Sequence, residues 1–150
     1  MIRDDIKTGL VESMKAKDSV RVAAIRLIQA AIKNRDIEAR TGGAPADDDV
    51  LVMEVLGKMA KQRRESIEMF EKGNRPELAA AEQAELDVIE SFLPKQMSEE
   101  DAKAAIAALV TEAGATSVKD MGAVMALVKA KLQGQIDMSK ASGMVKAALS

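Results

Sequence analysis

The chain has 150 residues, 47% of them hydrophobic and 31% charged, with a formal net charge of −2. That is material for one domain or two small ones around a real core, and it excludes a protein that binds polyanions by bulk positive charge. His, Cys, Trp and Tyr are all absent, which excludes disulfides, thiolate chemistry, the usual near-neutral acid/base, the usual zinc sites and extensive base stacking on aromatic rings.

No run approaches the roughly 18 apolar residues that a membrane span needs. Met1-Ile2-Arg3-Asp4-Asp5 turns acidic at once, unlike a secretory signal. The expectation is a cytoplasmic protein with no membrane contact.

Apolar spacing predicts helix almost throughout. Ile2, Ile6, Leu10 and Met14 fall on one face of a first helix. Asp18 or Ser19 can cap a second, running to about Arg40. Val20, Val22, Ile25, Leu27, Ile28, Ala31 and Ile32 make that helix apolar on most sides, with a narrow polar stripe of Arg26, Gln29, Lys33, Asp36 and Arg40. Such a helix is expected at the centre of a bundle. Thr41-Gly42-Gly43-Ala44-Pro45 then breaks the pattern, and Asp47 to Asp49 supply an N-cap and acids for the positive end of the next helix dipole. A third helix is predicted from about Asp48 to Lys72, with Val52, Leu56, Met59 and Phe70 inward. Gly73-Asn74-Arg75-Pro76 closes it and starts a fourth, with Pro76 in the first turn. Ala79, Leu86, Ile89 and Leu93 form the fourth helix's apolar stripe.

Leu93-Pro94-Lys95-Gln96-Met97 is the expected domain boundary, because proline disfavours helix in the residue before it. Ser98, with Asp101 three residues on, caps a fifth helix. It carries Ile106, Leu109 and Val110 to a stop at Gly114. Ser117 caps a sixth, with Val118, Met121, Met125, Val128 and Leu132 inward, ending at Gly134. Asp137 caps a seventh, with Met138, Ala141, Val145 and Leu149 inward. The expected fold is all-α: an N-terminal bundle of about four helices over residues 1–94, and a C-terminal three-helix unit over 95–150.

The predicted fourth helix is acidic, with Glu77, Glu82, Glu85, Asp87 and Glu90, and the third is basic, with Lys58, Lys61, Arg63 and Arg64. A two-metal carboxylate site pairs Glu with a His three residues on, and no His is present, so a solvated face paired with basic neighbours is expected instead. The third helix also holds Lys61 with Glu65, Arg64 with Glu68 and Glu68 with Lys72 at i,i+4 spacing, where they neutralise one another. The ten methionines fall mostly on apolar stripes and are expected to pack in the core.

The end of the chain has the opposite balance. Over residues 115–150, Lys119, Lys129, Lys131, Lys140 and Lys146 stand against Asp120 and Asp137, five against two, a local +3. Lysines serve as point charges for phosphate, and the helix starts at Ser117 and Asp137 offer backbone N–H groups. The Asp137 carboxylate competes with phosphate at its own helix end. No Arg lies in this unit, so bidentate reading of bases is absent. Ser and Thr lack a His to activate them, and no phosphate-binding or dinucleotide glycine motif is present. No self-sufficient catalytic site, metal site or cofactor is expected.

Four blocks carry a resemblance: Arg26-Leu27-Ile28-Gln29-Ala30-Ala31-Ile32-Lys33, Lys61-Gln62-Arg63-Arg64-Glu65-Ser66-Ile67, Ile89-Glu90-Ser91-Phe92-Leu93-Pro94-Lys95-Gln96-Met97-Ser98 and Lys119-Asp120-Met121-Gly122-Ala123-Val124-Met125. In content and order they resemble the YqeY family over nearly the whole chain. That family is similar to the C-terminal part of GatB, a subunit of the tRNA-dependent amidotransferase, which amidates misacylated Glu-tRNA or Asp-tRNA with glutamine as nitrogen donor. The GatB tail contacts the tRNA body, and a similar module is appended to some glutaminyl-tRNA synthetases. The resemblance therefore implies a tRNA-associated accessory module, partnered by a synthetase or an amidotransferase subunit, and linked by similarity to carbon–nitrogen ligase activity. The glutaminase centre and the kinase-like pocket of the amidotransferase have no counterpart here. Family members often carry Lys or Arg after the Met-Gly pair and a Gly soon after the later Ala-Asp. Here those places read Ala123 and Ile136-Asp137-Met138-Ser139. The candidate RNA face is thus Lys119, Lys129, Lys131, Lys140 and Lys146, chosen by charge and location. A helical protein-interaction module without RNA is the alternative, and part of an amidotransferase-like enzyme a third.

Overall fold

Short-range capping chemistry sets where the helices begin. In the computed structural model, which describes residues 1–150, seven α-helices form in order: α1 Ile2–Lys15, α2 Ser19–Ala39, α3 Asp48–Lys72, α4 Pro76–Ser91, α5 Glu99–Ala113, α6 Met121–Leu132 and α7 Met138–Leu149. A 3₁₀ turn, Val118–Asp120, precedes α6, and there are no strands. The fold is all-α. Asp18 accepts the Arg21 N–H at 3.1 Å, Asp47 the Asp49 N–H at 2.9 Å, Ser98 the Asp101 N–H at 3.1 Å and Asp137 the Ser139 N–H at 2.9 Å. Each such cap contributes about 1 kcal/mol by satisfying an N–H that has no partner within the helix. Pro76 occupies the first turn of α4, where its missing N–H costs nothing. Gly114 closes α5 in the left-handed region at φ 65°, a conformation glycine adopts without Cβ strain.

The chain divides into two compact units, Met1–Pro94 and Lys95–Ser150. In the first, α3 and α4 lie side by side, α1 packs on α2, and α2 packs on α4. Ile6, Ile25, Ile28, Val52, Leu56 and Ile89 are fully buried at its centre, each worth about 1.5–3 kcal/mol of apolar burial.

α2 is central in that it meets α1, α3 and α4, but it is not buried on most sides. Only Ala24, Ile25, Ile28 and Ile32 of that helix are buried, while Val20 is 57% exposed and Leu27 46% exposed. One face is enough to meet α1, α3 and α4, and the opposite apolar face stays in solvent. Met14, expected on the inner face of α1, is also exposed, because the buried positions at that end are Gly9 and Ser13.

A polar tie draws the starts of α1 and α3 to α2. The Arg3 guanidinium donates to Asp48 at 2.8 and 3.1 Å and to Asp36 at 2.9 and 3.0 Å. Beside it, the Ile2 N–H donates to the Asp49 carboxylate at 2.9 Å. The hydrogen bond from Arg3 holds the Asp48 carboxyl below its ordinary range, and the two aspartates hold Arg3 further into its charged form.

The second unit packs α5, α6 and α7 against one another around Ile106, Val124, Val128, Ala141 and Val145. The Met97 N–H donates to the Gln135 carbonyl at 2.9 Å, and the Gln96 side chain donates to the Gly134 carbonyl. The expected stripe of α6 needs one correction: Val118 is 45% exposed and Val124 is fully buried. Val118 lies in the 3₁₀ turn, whose three residues per turn break the register that α-helical spacing extrapolates backwards. The methionines pack at the margins: Met97, Met121, Met125, Met138 and Met144 border this core and Met59 borders the other, all half-buried. Met1, Met14 and Met69 are exposed.

Candidate nucleic-acid interface

The two oppositely charged helices of the first unit serve each other. Arg63 of α3 lies 2.7 Å from Glu85 and 3.4 Å from Glu82 of α4, and Arg64 reaches Glu90 at 2.8 Å. Of the three i,i+4 pairs expected within α3, Glu68 and Lys72 meet at 2.9 Å, whereas Arg64 turns across to α4. The acidic stripe and the basic cluster are thus largely a packing seam. No group of three or more acidic side chains is arranged to hold a metal ion.

In the second unit, Lys119 lies in the 3₁₀ turn, Lys129 and Lys131 in α6, and Lys140 and Lys146 in α7, all exposed. They are not equivalent. The Lys131 ammonium is held by both carboxylate oxygens of Glu112 at 2.7 and 2.8 Å, which offsets its charge. Lys129 and Lys131, two residues apart, point about 200° apart around α6. Lys140 and Lys146, six apart, diverge by about 120° around α7. Each pair therefore straddles its helix instead of lining one face.

At each helix start expected to offer N–H groups, an acidic side chain turns back onto the backbone. The Asp120 carboxylate accepts from Thr116 at 2.9 Å and from Ser117 at 3.3 Å, closing a capping box with the Ser117 hydroxyl. Asp137 accepts from Ser139. Asp137 thus caps α7 with its own carboxylate, and Asp120 places a second carboxylate at the start of α6.

A feature that apolar spacing did not reveal lies in the first unit. Arg3 and Lys7 of α1 and Gln29, Lys33 and Asp36 of α2 rim a groove of about 210 Å³ with Ile6 and Ile32 in its floor. A second groove, of about 420 Å³, runs beside Lys17, Val22, Ala23 and Arg26. The polar stripe on α2 was the signal for both. Its pairing with α1 was the missing information.

The chain matches the Yqey-like protein family over residues 3–149. It belongs to the YqeY family. This YqeY-family chain is 34% identical over 110 residues to the Altered inheritance of mitochondria protein 41, mitochondrial, of Lachancea thermotolerans, a match covering 72% of this chain and 57% of the relative. The protein of the same name from Saccharomyces cerevisiae (strain S288c) is 32% identical over 120 residues, covering 76% and 63%. That of Eremothecium gossypii is 36% identical over 88 residues, covering 59% and 46%. The chain thus spans less than two thirds of the length of these YqeY-family relatives. Their names are mitochondrial. No helix of this chain is long and apolar enough to cross a membrane.

Proposed function

We propose that this chain is a tRNA-associated accessory module of the GatB/YqeY type, which holds RNA through its α5–α7 unit. The observation that carries the reading is the charge separation. Residues 115–150 are +3 in a chain of net −2, and their lysines are exposed. Membership of the YqeY family supports it. Recognition is by shape and backbone charge, because the unit has no arginine and no aromatic residue with which to read bases. Lys119, Lys129, Lys140 and Lys146 carry the contact, and Lys131 contributes less because Glu112 offsets it.

In this reading the α1–α4 unit is the docking side, and its partner is an aminoacyl-tRNA synthetase or an amidotransferase subunit. The chain assists glutamine-dependent amidation without performing it, since it has no nucleophile paired with a base. It works where aminoacyl-tRNA is made. That is the cytoplasm, or, as the names of the relatives suggest, an organelle with its own translation.

The test is fluorescence anisotropy against labelled bulk tRNA, with double-stranded RNA as competitor and a salt series. Micromolar binding that resists the competitor and weakens steeply with salt supports the module. No binding at low salt rejects it for this chain. A protein-interaction module without RNA is the second reading, favoured by the uncovered apolar face of α2. It expects a partner that is retained after nuclease treatment. Glutamine-dependent ammonia release by the purified chain would point instead to an amidotransferase-like enzyme.

A further inference from the structure

The outer face of α2 has a pattern that its own fold leaves unused. Val20, Ala23, Leu27, Ala30, Asn34 and Ile37 are all exposed. They follow one another at spacings of 3, 4, 3, 4 and 3 residues. This is the a and d rhythm of a coiled-coil seam, kept over nearly three heptads. Val20, Leu27 and Asn34 fall at a, and Ala23, Ala30 and Ile37 at d. Alanine at d lets a second backbone come close, and a single Asn at an a position fixes register at some cost in stability. The opposite face of the same helix is locked into the core by Ile25, Ile28 and Ile32. The seam is therefore presented on a rigid support.

Charge says what fits it. The g positions are Arg26, Lys33 and Arg40, seven residues apart and all exposed. The ion pairs of the chain, made by Arg3, Arg35, Arg63, Arg64, Lys72, Lys103 and Lys131, involve none of the three. The e positions are Ala24, Ala31 and Glu38. Two antiparallel copies of α2 would set this cationic row against itself. In parallel copies only Lys33 would meet an acid, Glu38 of the other helix. Self-pairing is therefore poorly matched in either direction. At the start of the seam, the groove beside Ala23 has Met14 and Val22 as apolar walls, Lys17 and Arg26 as cationic ones, and no acidic residue in its lining.

We infer that the outer face of α2 docks an amphipathic helix of a partner protein, with small or apolar residues along its seam and acidic residues facing Arg26, Lys33 and Arg40. The inference does not depend on RNA binding by the α5–α7 unit.

The experiment uses the full chain and a labelled synthetic peptide of about three heptads, apolar at a and d and Glu at e and g. Anisotropy is read at low salt. Two control peptides have Lys in place of Glu, or the same composition with the heptad order scrambled. The expected result is saturable binding of the Glu peptide and at least tenfold weaker binding of both controls. Leu27→Glu lowers affinity at least tenfold, and the triple change R26E/K33E/R40E transfers binding to the Lys peptide. All four positions are exposed, and circular dichroism of each variant checks that the helices are retained.

No binding of the Glu peptide, or equal binding of the scrambled one, overturns the inference. So does a sedimentation result in which the chain forms a dimer that Leu27→Glu dissolves, since a second copy is then the occupant. Displacement of the peptide by tRNA, with RNA binding lost in the triple variant and unchanged in Leu27→Glu, reassigns the cationic row to phosphate and overturns it as well.

Discussion

Arg3 donates to Asp48 at 2.8 Å across 45 residues of chain. The same guanidinium holds Asp36, so one side chain joins the starts of α1 and α3 to α2. Arg3 lowers the affinity of the Asp48 carboxyl for its proton, so the folded state binds that proton less readily than the unfolded chain. The stabilisation is complete above about pH 4, the ordinary carboxylate value. It is lost as the pH falls through the lower value of the folded state. Asp48→Asn should cost about 1 kcal/mol at neutral pH, the pair being partly screened by solvent. The gap to wild type should begin to narrow in urea melts below about pH 4 and close as the pH falls through the lower folded-state value. A gap that persists unchanged there would show that the cost comes from packing and not from charge.

Gly9 faces the ring of Phe92, and a Cβ added there would stand 2.9 Å from its outermost carbon. The ring is covered on another side by the Arg21 guanidinium, 5.5 Å from its centroid. Alanine ordinarily stabilises a helix interior relative to glycine by about 0.5–1 kcal/mol. Here Gly9→Ala should instead destabilise by about 1 kcal/mol, as overpacking does. Thermal unfolding measures the sign directly. A rise in Tm would mean that Phe92 swings clear.

Arg63 stands between Glu82 and Glu85. Its loss leaves two carboxylates sharing one patch of α4. Arg63→Ala should destabilise by about 1–2 kcal/mol, and by clearly less in an E82Q/E85Q background. A double-mutant cycle with urea melts gives the coupling. Additive losses would mean that the seam between α3 and α4 is held by apolar contact alone.

If tRNA binds the second unit, the lysines should count unequally. Lys129→Gln or Lys146→Gln should lower affinity more than Lys131→Gln, because Glu112 already offsets Lys131. Each effective lysine removed should reduce the slope of log affinity against log salt by about 0.7–0.9. Equal effects at all three positions would show that Glu112 releases Lys131 when RNA binds.

Much of the fold was readable because its punctuation is local. Asp18, Asp47, Ser98, Asp137 and Gly114 act within a turn of where they stand, so their roles follow from type and position. Charge complementarity between the third and fourth helices was visible for a similar reason: the basic residues of α3 cluster at Lys58 to Arg64, and α4 carries acids with no Lys or Arg among them. The misjudged elements depended on something outside the local pattern. An apolar face on α2 reads the same whether its own bundle covers it or leaves it bare. Val118 fell out of register because a 3₁₀ turn intervenes. The Arg3 tie joins residues too far apart in sequence to announce each other. The five candidate lysines were selected by charge, and charge carries no information about azimuth, so their divergence around α6 and α7 could not be foreseen.

The Asp120 carboxylate folds back onto the Thr116 and Ser117 N–H groups ahead of α6, and Asp137 onto the Ser139 N–H in the first turn of α7, so each helix start already holds a negative charge. A phosphate held by backbone donors sits in a cradle whose shape is set in advance. One held by lysines on flexible stems meets a cloud of positive charge that re-forms around wherever it lands. A polyanion on such a surface would exchange quickly and slide with little resistance, and its residence would lengthen only when a second site on the same assembly holds it too.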